Sequence, residues 1–427
     1  MLTSNYTSSL KKIFGFIEKI PPWACFLAAF LIRFIFALKL GNGFYQIDET
    51  GYHQAALNLM KFNVFGSQTN ASAGSPIPAF YFSIFFRLFG DRPLYARLGL
   101  LIPDMALVWT VWQMTEKLTR SKLAGKIALL ISTVYPFFIY YGGMMLSETP
   151  YLVFMTFGIW RLCQMMSEGK ASFLNAAATG ISLGLAALSR PEGAVIMVGI
   201  WLIAIFASLR SRPILLSLLW SSFFWALLLI SWSLRNRIET GSFSLDSHGG
   251  ISLLHGTLLF DLNEQDTQVA MHYLKGTPLF AQASRLSAHD QDNLYWRAAI
   301  RFMLTHPEAV IHQWLLKSLN FWRFYPRMNK VYFQNPANHP SIGLRRGTLI
   351  TISFFFEPWL IIGGLWGTWQ LFNKERRIFY PIVLFIAMTF GVHMVSVSQM
   401  RYRLPIMPFL ILGFSYLLSL HFQSENR

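Results

Sequence analysis

The sequence predicts an all-α protein that crosses a membrane many times. Of its 427 residues, 54% are hydrophobic and only 13% are charged, whereas soluble domains carry about 25% charged residues. Its apolar runs are about 20 residues long, which is the length that a helix needs to span a bilayer. Strands of a membrane barrel would be about half as long and would alternate in polarity. These observations exclude a soluble globular protein and a disordered chain.

The chain is strongly basic, with a formal net charge of +16 at pH 7. Because Lys and Arg concentrate in cytoplasmic loops, this charge indicates topology rather than nucleic-acid binding. A basic cavity for an anionic lipid headgroup is a second source of such charge. Both cysteines, Cys25 and Cys163, lie in apolar runs, which argues against a disulfide framework or a zinc site.

About ten apolar runs are predicted to span the membrane, with both chain termini in the cytoplasm. The first run follows a basic segment but has no clean small-residue cleavage site, so we interpret it as an uncleaved span rather than a signal peptide. Basic loops alternate with loops nearly free of Lys, as the positive-inside rule requires. The predicted spans are 23–41, 93–116, 123–141, 148–167, 171–189, 191–209, 213–234, 348–371, 377–396 and 403–420.

Two polar stretches interrupt the spans and are predicted to lie outside the cytoplasm. Residues 42–91 form a large first loop, and residues 237–346 are too long for a simple connection, so they form a small α-rich domain. Short amphipathic helices are predicted at 50–62 and 79–89, and helical periodicity appears near 291–304 and 307–323. The chain therefore divides into an N-terminal transmembrane module, an extracytoplasmic domain and C-terminal transmembrane helices, at 1–236, 237–346 and 347–427.

Carboxylates are scarce, so their positions are informative. Asp48 and Glu49 follow the first span, where Asp48 either caps the next helix or acts as a general base on a hydroxyl. Glu148 lies at the outer end of two runs, where it either caps a helix or serves a functional site. Asp104, within the second span, is equally consistent with a helix-packing hydrogen bond and with a site.

Five of the basic residues on the predicted outer side are candidates for an anion site, because Lys and Arg normally concentrate on the cytoplasmic side. They are Arg190, Arg235, Lys317, Arg401 and Arg403. Snorkelling to lipid headgroups is the alternative to an anion site for each of them, and for Arg190 an ion pair with Glu192 in the same turn is another. Pro405 favours an extended segment before the last span, on which Arg401 and Arg403 share a face and reach one phosphate. The histidines of 237–346 show no HExxH-type metal spacing.

Six motifs in order resemble the GT-C superfamily of integral-membrane glycosyltransferases. The branch related to protein O-mannosyltransferases and to lipid A aminoarabinose transferase is the most similar. Each motif is loose, and their order and topology across nearly the whole chain carry the resemblance. The motifs are Asp48-Glu49 in the first loop, SETPY at 147–151, LSRPEG at 188–193, RNRIETGSFSLDSHGGISLLHG at 235–256, HPEAVIHQWLLKSLNFW at 306–322 and MRYRLPIMP at 400–408.

The resemblance implies transfer of a sugar from a polyprenyl phosphate to an acceptor hydroxyl at the outer face of the plasma (inner) membrane. It implies that Asp48 is the base and that Glu49, beside it, belongs to the catalytic set. Glu148 is implied to be a second acidic residue of that set. Arg401 and Arg403 are implied to lie near the lipid phosphate. Direct displacement would invert the anomeric configuration. A divalent metal, Mg²⁺ or Mn²⁺, is used by some relatives, and here Asp48 and Glu148 would be its ligands. The acceptor is a lipid, a glycan or a protein, and no nucleic acid is expected.

Two other functions remain open from the sequence. A transporter or flippase of lipid-linked saccharides would carry charges near the bilayer midplane and often internal repeats, whereas the charges here cluster at one face. A non-catalytic assembly partner would share the architecture, although the presence of Asp48 and Glu148 argues against it. The sugar and the acceptor are not specified by the sequence.

Overall fold

The structure, a computed structural model, describes residues 15–65, 74–169, 172–209, 211–246, 248–257, 274–325 and 346–424. Over these residues the chain is helical and contains no β-strand. Parts of the predicted 42–91 loop and of the predicted 237–346 domain lie outside them.

The helices of the N-terminal half are α1 (Pro22–Leu40), α2 (Ile47–Phe62), α3 (Pro76–Phe89), α4 (Pro93–Thr119), α5 (Lys122–Val134), α6 (Pro136–Gly142), α7 (Glu148–Glu168), α8 (Phe173–Ser189), α9 (Glu192–Ala207) and α10 (Arg212–Thr240). The C-terminal half contains α11 (Gly249–Thr257), α12 (Pro278–Ala283), α13 (Ala288–Thr305), α14 (Pro307–Phe321), α15 (Arg346–Pro358), a π-helix (Trp359–Gly363), α16 (Gly364–Lys374), α17 (Arg376–Val395), a 3-10 helix (Met400–Ile406) and α18 (Met407–Ser424).

All ten predicted spans coincide with helices, and the predicted class of a multi-pass all-α membrane protein is confirmed. Six helical segments of the described chain are long and apolar enough to cross a bilayer, and the pair α5–α6, bent by 53°, makes a seventh. Helices α8 and α9, with 17 and 16 residues, are shorter apolar helices. The total of ten spans therefore stays a prediction.

Helix α7 lies in the centre of the bundle, against α4, α8 and α17. The largest apolar cluster joins these helices to α18 through buried side chains such as Val111, Ile159, Phe385 and Leu410. Outward-facing side chains are also apolar, with Ile35, Leu202 and Phe206 largely exposed. Apolar groups on both the inside and the outside are what a bundle surrounded by lipid requires.

Two glycines allow helices to approach closely. A Cβ atom at Gly367 would lie 1.9 Å from the Gly413 carbonyl oxygen, so α16 and α18 are in backbone contact. A Cβ atom at Gly125 would lie 2.8 Å from Cβ of Glu116, where α5 packs against α4. These two positions fix the α16–α18 and α4–α5 pairs.

Asp104 has a structural partner. Its Oδ2 lies 2.9 Å from Nε of Arg33, and both side chains are 2% exposed. Arg33 also donates to the carbonyl oxygens of Ser132 and Thr133, at 2.9 Å each. The helix-packing interpretation of Asp104 is therefore the one that the structure supports.

The short helices predicted outside the spans are also present. Helices α2 and α3 contain the predicted segments and begin three residues earlier in each case, while α13 and α14 match the two periodic stretches of the predicted domain. The described part of that domain has its own small core, which includes Leu254, Tyr295 and Ala299. The domain boundaries themselves remain predictions.

A candidate active site at one end of the bundle

Five chain segments meet at one end of the bundle and bring acidic and basic side chains together. They are the start of α2, the start of α7, the turn between α8 and α9, the end of α17 and the 3-10 helix. Their charged side chains are Asp48, Glu148, Arg190, Glu192 and Arg401, and we call this set the charged cluster. Four of the eight site residues predicted from the sequence are in it.

Asp48 and Glu49 have opposite environments. Helix α2 begins with a capping box, in which Glu49 accepts from the backbone N–H groups of Tyr45 (2.6 Å) and Gln46 (2.9 Å). Glu49 is fully buried, and its Oε1 lies 2.9 Å from Nη2 of Arg97. The side chain of Asp48 is 53% exposed. The expectation that Asp48 caps the helix is wrong, because the cap is Gln46 and the acidic partner in the capping box is Glu49.

Glu148 and Glu192 both bind Arg190. Oε1 of Glu148 lies 2.9 Å from Nη1 of Arg190, and Oε1 of Glu192 lies 2.7 Å from Nε of the same residue. The guanidinium also lies over the ring of Tyr402, 5.2 Å from its centroid. The ion pair between Arg190 and Glu192, which the sequence suggested, is therefore present. Arg190 also forms an ion pair with Glu148.

Arg401 lies between two carboxylates. Its Nη1 is 3.2 Å from Oδ2 of Asp48 and 4.0 Å from Oε1 of Glu148, and its Nη2 donates to the hydroxyl of Tyr402 at 3.2 Å. Its Nε has no hydrogen-bond partner among the described residues. A guanidinium can present two donors to one phosphate, and Nε of Arg401 is a buried donor that no described residue uses.

Arg403 does not join the cluster, and the extended segment predicted before Pro405 is wrong. Met400–Ile406 form a 3-10 helix, in which residues two apart point in different directions. Arg403 is buried, forms an ion pair with Glu357 and donates to the carbonyl oxygens of Phe321 (2.5 Å) and Arg323 (3.0 Å). Its contacts are those of a framework residue.

Lys317 and Arg235 also lie apart from the charged cluster. Lys317 is 1% exposed, and its Nζ donates to the carbonyl oxygens of Met394 (2.9 Å) and Val395 (3.2 Å) at the end of α17. Burial lowers the pKa of this ammonium to about 7. Arg235 lies over the rings of Phe65 and Trp232, at 5.6 and 5.2 Å from their centroids.

Sequence reasoning missed two aromatic residues beside the cluster. The rings of His393 and Tyr402 are parallel, with centroids 4.6 Å apart, and Nε2 of His393 lies 4.0 Å from Oε1 of Glu192. Nδ1 of His393 lies 3.0 Å from the carbonyl oxygen of Val397. The ring of Tyr402 thus separates His393 from the guanidinium of Arg190. The one sequence signal that pointed to His393 was its position near the end of an apolar run.

The charged cluster does not fit a divalent metal in this arrangement. Asp48 and Glu148 are the ligands that the resemblance implies, but Nη1 of Arg401 lies between them. No group of three or more His, Cys, Asp or Glu side chains within the described ranges is arranged to hold a metal ion. The guanidinium occupies the position that a bridging cation would need.

A small cleft is lined in part by Arg401 of the charged cluster. Aromatic and apolar side chains form most of its wall, and Arg401 and Arg403 supply its charged groups. The other lining residues are Tyr135, Phe137, Tyr141, Met400, Leu404 and Met407. An apolar cleft with a guanidinium at one end suits a ligand that has an anionic head and an apolar tail.

Comparison with known protein families gives a match over part of the chain. The family model described as dolichyl-phosphate-mannose-protein mannosyltransferase matches residues 73–234, a range that includes Glu148 and Arg190. No curated protein sequence matches the chain.

The solved structures that resemble this protein are distant in sequence. The AglB oligosaccharyltransferase of Archaeoglobus fulgidus, in complex with an inhibitory peptide and a dolichol-phosphate, is 12% identical, with a TM-score of 0.52 over 93% of this chain and 50% of that one. The apo oligosaccharyltransferase of the same organism is 13% identical, with a TM-score of 0.53 over 93% and 51%. ArnT from Cupriavidus metallidurans in the apo state is 11% identical, with a TM-score of 0.40 over 91% and 76%.

These similarities define the fold class. The chain is a multi-pass membrane protein whose helical fold is similar to that of the AglB oligosaccharyltransferase. The family match over residues 73–234 agrees with the resemblance to protein O-mannosyltransferases. The chain spans about half the length of AglB. At this identity the likeness concerns the fold, so activity has to be argued from the site.

Proposed function

We propose that this protein transfers a sugar from a polyprenyl-phosphate donor to an acceptor hydroxyl at the end of the bundle that holds the charged cluster. The observation that carries this proposal is the ion pair of Asp48 and Arg401, whose guanidinium also lines a mostly apolar cleft. The pair offers a solvent-exposed carboxylate for the acceptor and a guanidinium for the phosphate. The fold similarity to a glycosyltransferase supports it independently.

The donor chemistry agrees with the residues present. A lipid phosphate is a good leaving group and needs cations rather than a proton donor as its C–O bond breaks. Glycosidases need two carboxylates because their leaving alkoxide must be protonated. One base on the acceptor and one guanidinium on the phosphate are therefore sufficient, and direct displacement inverts the anomeric carbon.

The cleft at Arg401 is the proposed donor site. The guanidinium would bind the phosphate through its unused Nε and through Nη1, while Tyr135, Phe137 and Met407 would contact the first part of the isoprenoid chain. A planar guanidinium matches two phosphate oxygens, which an ammonium does not.

Asp48 is the proposed general base. In the described arrangement it is paired with Arg401, whose Nη1 lies 3.2 Å from Oδ2 of Asp48. Binding of the phosphate would draw the guanidinium away, and Asp48 would then accept the proton of the acceptor hydroxyl. The donor would in this way activate the base.

Glu148, Arg190 and Glu192 are proposed to position Arg401 rather than to react. Arg190 is held by both carboxylates at 2.9 and 2.7 Å, and Glu148 in turn lies 4.0 Å from Arg401. Glu49 and Arg403, which the resemblance places in the site, are proposed to act as framework, since each is buried with an ion partner of its own.

The reaction is proposed to occur on the extracytoplasmic face of the plasma (inner) membrane. The loops at the site end are nearly free of Lys, whereas the opposite end carries basic residues such as Lys117, Lys122 and Arg376, which supports this orientation. The acceptor is proposed to be a lipid, a glycan or a protein. The position of the cluster at one end of the bundle favours transfer over a flippase, whose charges would lie near the midplane.

The test is release of polyprenyl phosphate from a polyprenyl-phosphate sugar by protein reconstituted in vesicles with acceptor-containing membrane extract, measured by mass spectrometry. Asp48→Asn should lower the rate by about 10²–10⁴-fold, the usual effect of losing a general base. Asp91→Asn is the matched control, because Asp91 is also an exposed carboxylate paired with a basic residue, His53, at 2.9 Å. A wild type without release, or an Asp48→Asn variant as fast as Asp91→Asn, would reject the proposal.

A further inference from the structure

We propose that the end of the bundle opposite the charged cluster binds the phosphate headgroup of an anionic phospholipid in a cleft between the α4–α5 turn and the α16–α17 turn. The cleft has a volume of about 200 Å³ and shares no lining residue with the cleft at Arg401.

The two clefts lie one bilayer apart. Helix α17 begins at Arg376, beside the second cleft, and ends at Val395, beside the charged cluster. Its 20 residues span about 30 Å, which is the thickness of the hydrocarbon core. The second cleft therefore lies at the level of the headgroups of the other leaflet.

The composition of the cleft wall matches that of a lipid headgroup site. Arg120 and Lys374 supply two cations, and hydroxyl groups stand beside them on Thr119, Ser121 and Ser419. Apolar residues complete the wall, namely Leu118, Leu371, Phe379 and Leu420. Cations at the headgroup level with apolar surface beside them suit a phospholipid, whereas a free phosphate would use only the cations.

The backbone at Arg120 is a second, independent observation. Arg120 ends α4 with φ of +54°, in the left-handed region, where glycine is the usual residue because it avoids a Cβ clash. Non-glycine residues in this strained backbone conformation are concentrated at functional sites. Here the conformation places the guanidinium at the cleft.

The acidic residue at the cleft is only weakly held by Arg120. Oε2 of Glu375 lies 3.3 Å from Nη2 of Arg120, whose side chain is 72% exposed. Exposed pairs of this kind contribute little, so a phosphate can replace the carboxylate at Arg120. Lys374 lies over the ring of Tyr416, with Nζ 6.0 Å from the centroid.

The walls of the cleft are rigid. The α4–α5 pair is closed by the contact of Gly125 with Glu116, and the α16–α18 pair by the contact of Gly367 with Gly413. Helix packing thus sets the backbone positions from which the two cations extend, which favours a specific site.

The experiment measures retention of phosphatidylglycerol and of phosphatidylcholine by the full chain in detergent, using native mass spectrometry. Wild type should retain phosphatidylglycerol preferentially. Arg120→Gly, which removes the guanidinium but suits the left-handed backbone, and Lys374→Gln should each weaken retention by about tenfold, the effect of losing one charge-assisted hydrogen bond.

Lys117→Gln is the matched control, because Lys117 is an exposed lysine near the same end of α4 but outside the cleft wall. It should leave retention within about twofold, since diffuse attraction to one more surface charge is largely screened by salt. Equal losses in Lys117→Gln and Lys374→Gln would show diffuse attraction and overturn the site. Displacement of the lipid by inorganic phosphate at equal concentration would assign the cleft to a free anion and overturn the lipid proposal.

Discussion

Asp48 and Glu49 are neighbours in the chain, and Arg401 and Arg403 are two residues apart, yet each pair divides between two regions. Asp48 and Arg401 meet at the open end of the bundle, with 53% and 21% of their side chains exposed. Glu49 and Arg403 are buried with Arg97 and Glu357. The difference shows that charged residues at a membrane face are of two kinds. Buried ones such as Glu49 and Arg403 hold the fold together, and only exposed ones such as Asp48 and Arg401 can contact a substrate.

Local geometry produces this division. Successive residues at the start of α2 point about 100° apart around the helix, so Glu49 turns into the capping box while Asp48 turns outward. In the 3-10 helix, residues two apart also diverge, which sends Arg403 into the bundle and Arg401 to the mouth of the cleft. Each of the two motifs therefore supplies one exposed and one buried charged group.

The largest stability effect is expected from breaking the buried pair of Arg403. Arg403→Met should destabilise the fold by about 3–5 kcal/mol, because Glu357 is left as an unpaired buried charge. Arg401→Met should lower the free energy of unfolding by no more than about 1 kcal/mol, since the Asp48 carboxylate with which Arg401 pairs is exposed to solvent. Unfolding in detergent followed by fluorescence measures both. Equal losses would remove the distinction between the two regions.

A smaller effect is expected when only the shape of the cation changes. Arg401→Lys keeps the charge but loses the planar fork, so it should raise the donor concentration needed for half-maximal transfer by about tenfold, the effect of one charge-assisted hydrogen bond. The measurement is transfer rate against polyprenyl-phosphate-sugar concentration. If the Lys variant keeps the wild-type donor dependence, Arg401 does no more than snorkel to lipid headgroups, because lysine snorkels as well.

A third effect is a dependence of stability on pH that arises at Lys317. Burial lowers the pKa of this lysine to about 7 in the folded chain, against about 10.4 when unfolded. Between these values the unfolded chain binds a proton that the folded chain does not, so the free energy of unfolding rises with pH from about 7 to about 10. Below about pH 7 both the folded and the unfolded chain bind this proton, and the contribution of Lys317 to the free energy of unfolding stays at its lowest level.

Replacement of Lys317 by Met should remove this slope, as measured by unfolding midpoints from pH 6 to 10. Lys374→Met is the control, because Lys374 is an exposed lysine at the other end of the bundle and should leave the slope unchanged. A slope that persists in Lys317→Met would assign the pH dependence to another group.

The sequence predicted the helices better than the site. Apolar length and charge alternation depend on neighbours in the chain, so the ten runs and the short helices α2, α3, α13 and α14 could be predicted. Asp48, Glu148 and Arg401 were predicted as site residues because charge is costly at a membrane edge.

The partners of these residues could not be predicted. Glu49 pairs with Arg97 and Arg403 with Glu357 across the fold, and nothing local distinguishes them from Asp48 and Arg401. The stacking of His393 on Tyr402 is also a tertiary contact. Packing decides which charge is buried, and packing is not a local property of the chain.

The central claim is that Asp48 acts on the acceptor while Arg401 holds the donor, and single-turnover transfer at saturating donor tests it most directly. Asp48→Asn should bind polyprenyl phosphate within about threefold of wild type, because the guanidinium remains, yet transfer about 10²–10⁴-fold more slowly. Rates are normalised to folded protein, with Asp91→Asn as the unaffected control. A wild-type transfer rate in Asp48→Asn, with donor bound, would contradict the account.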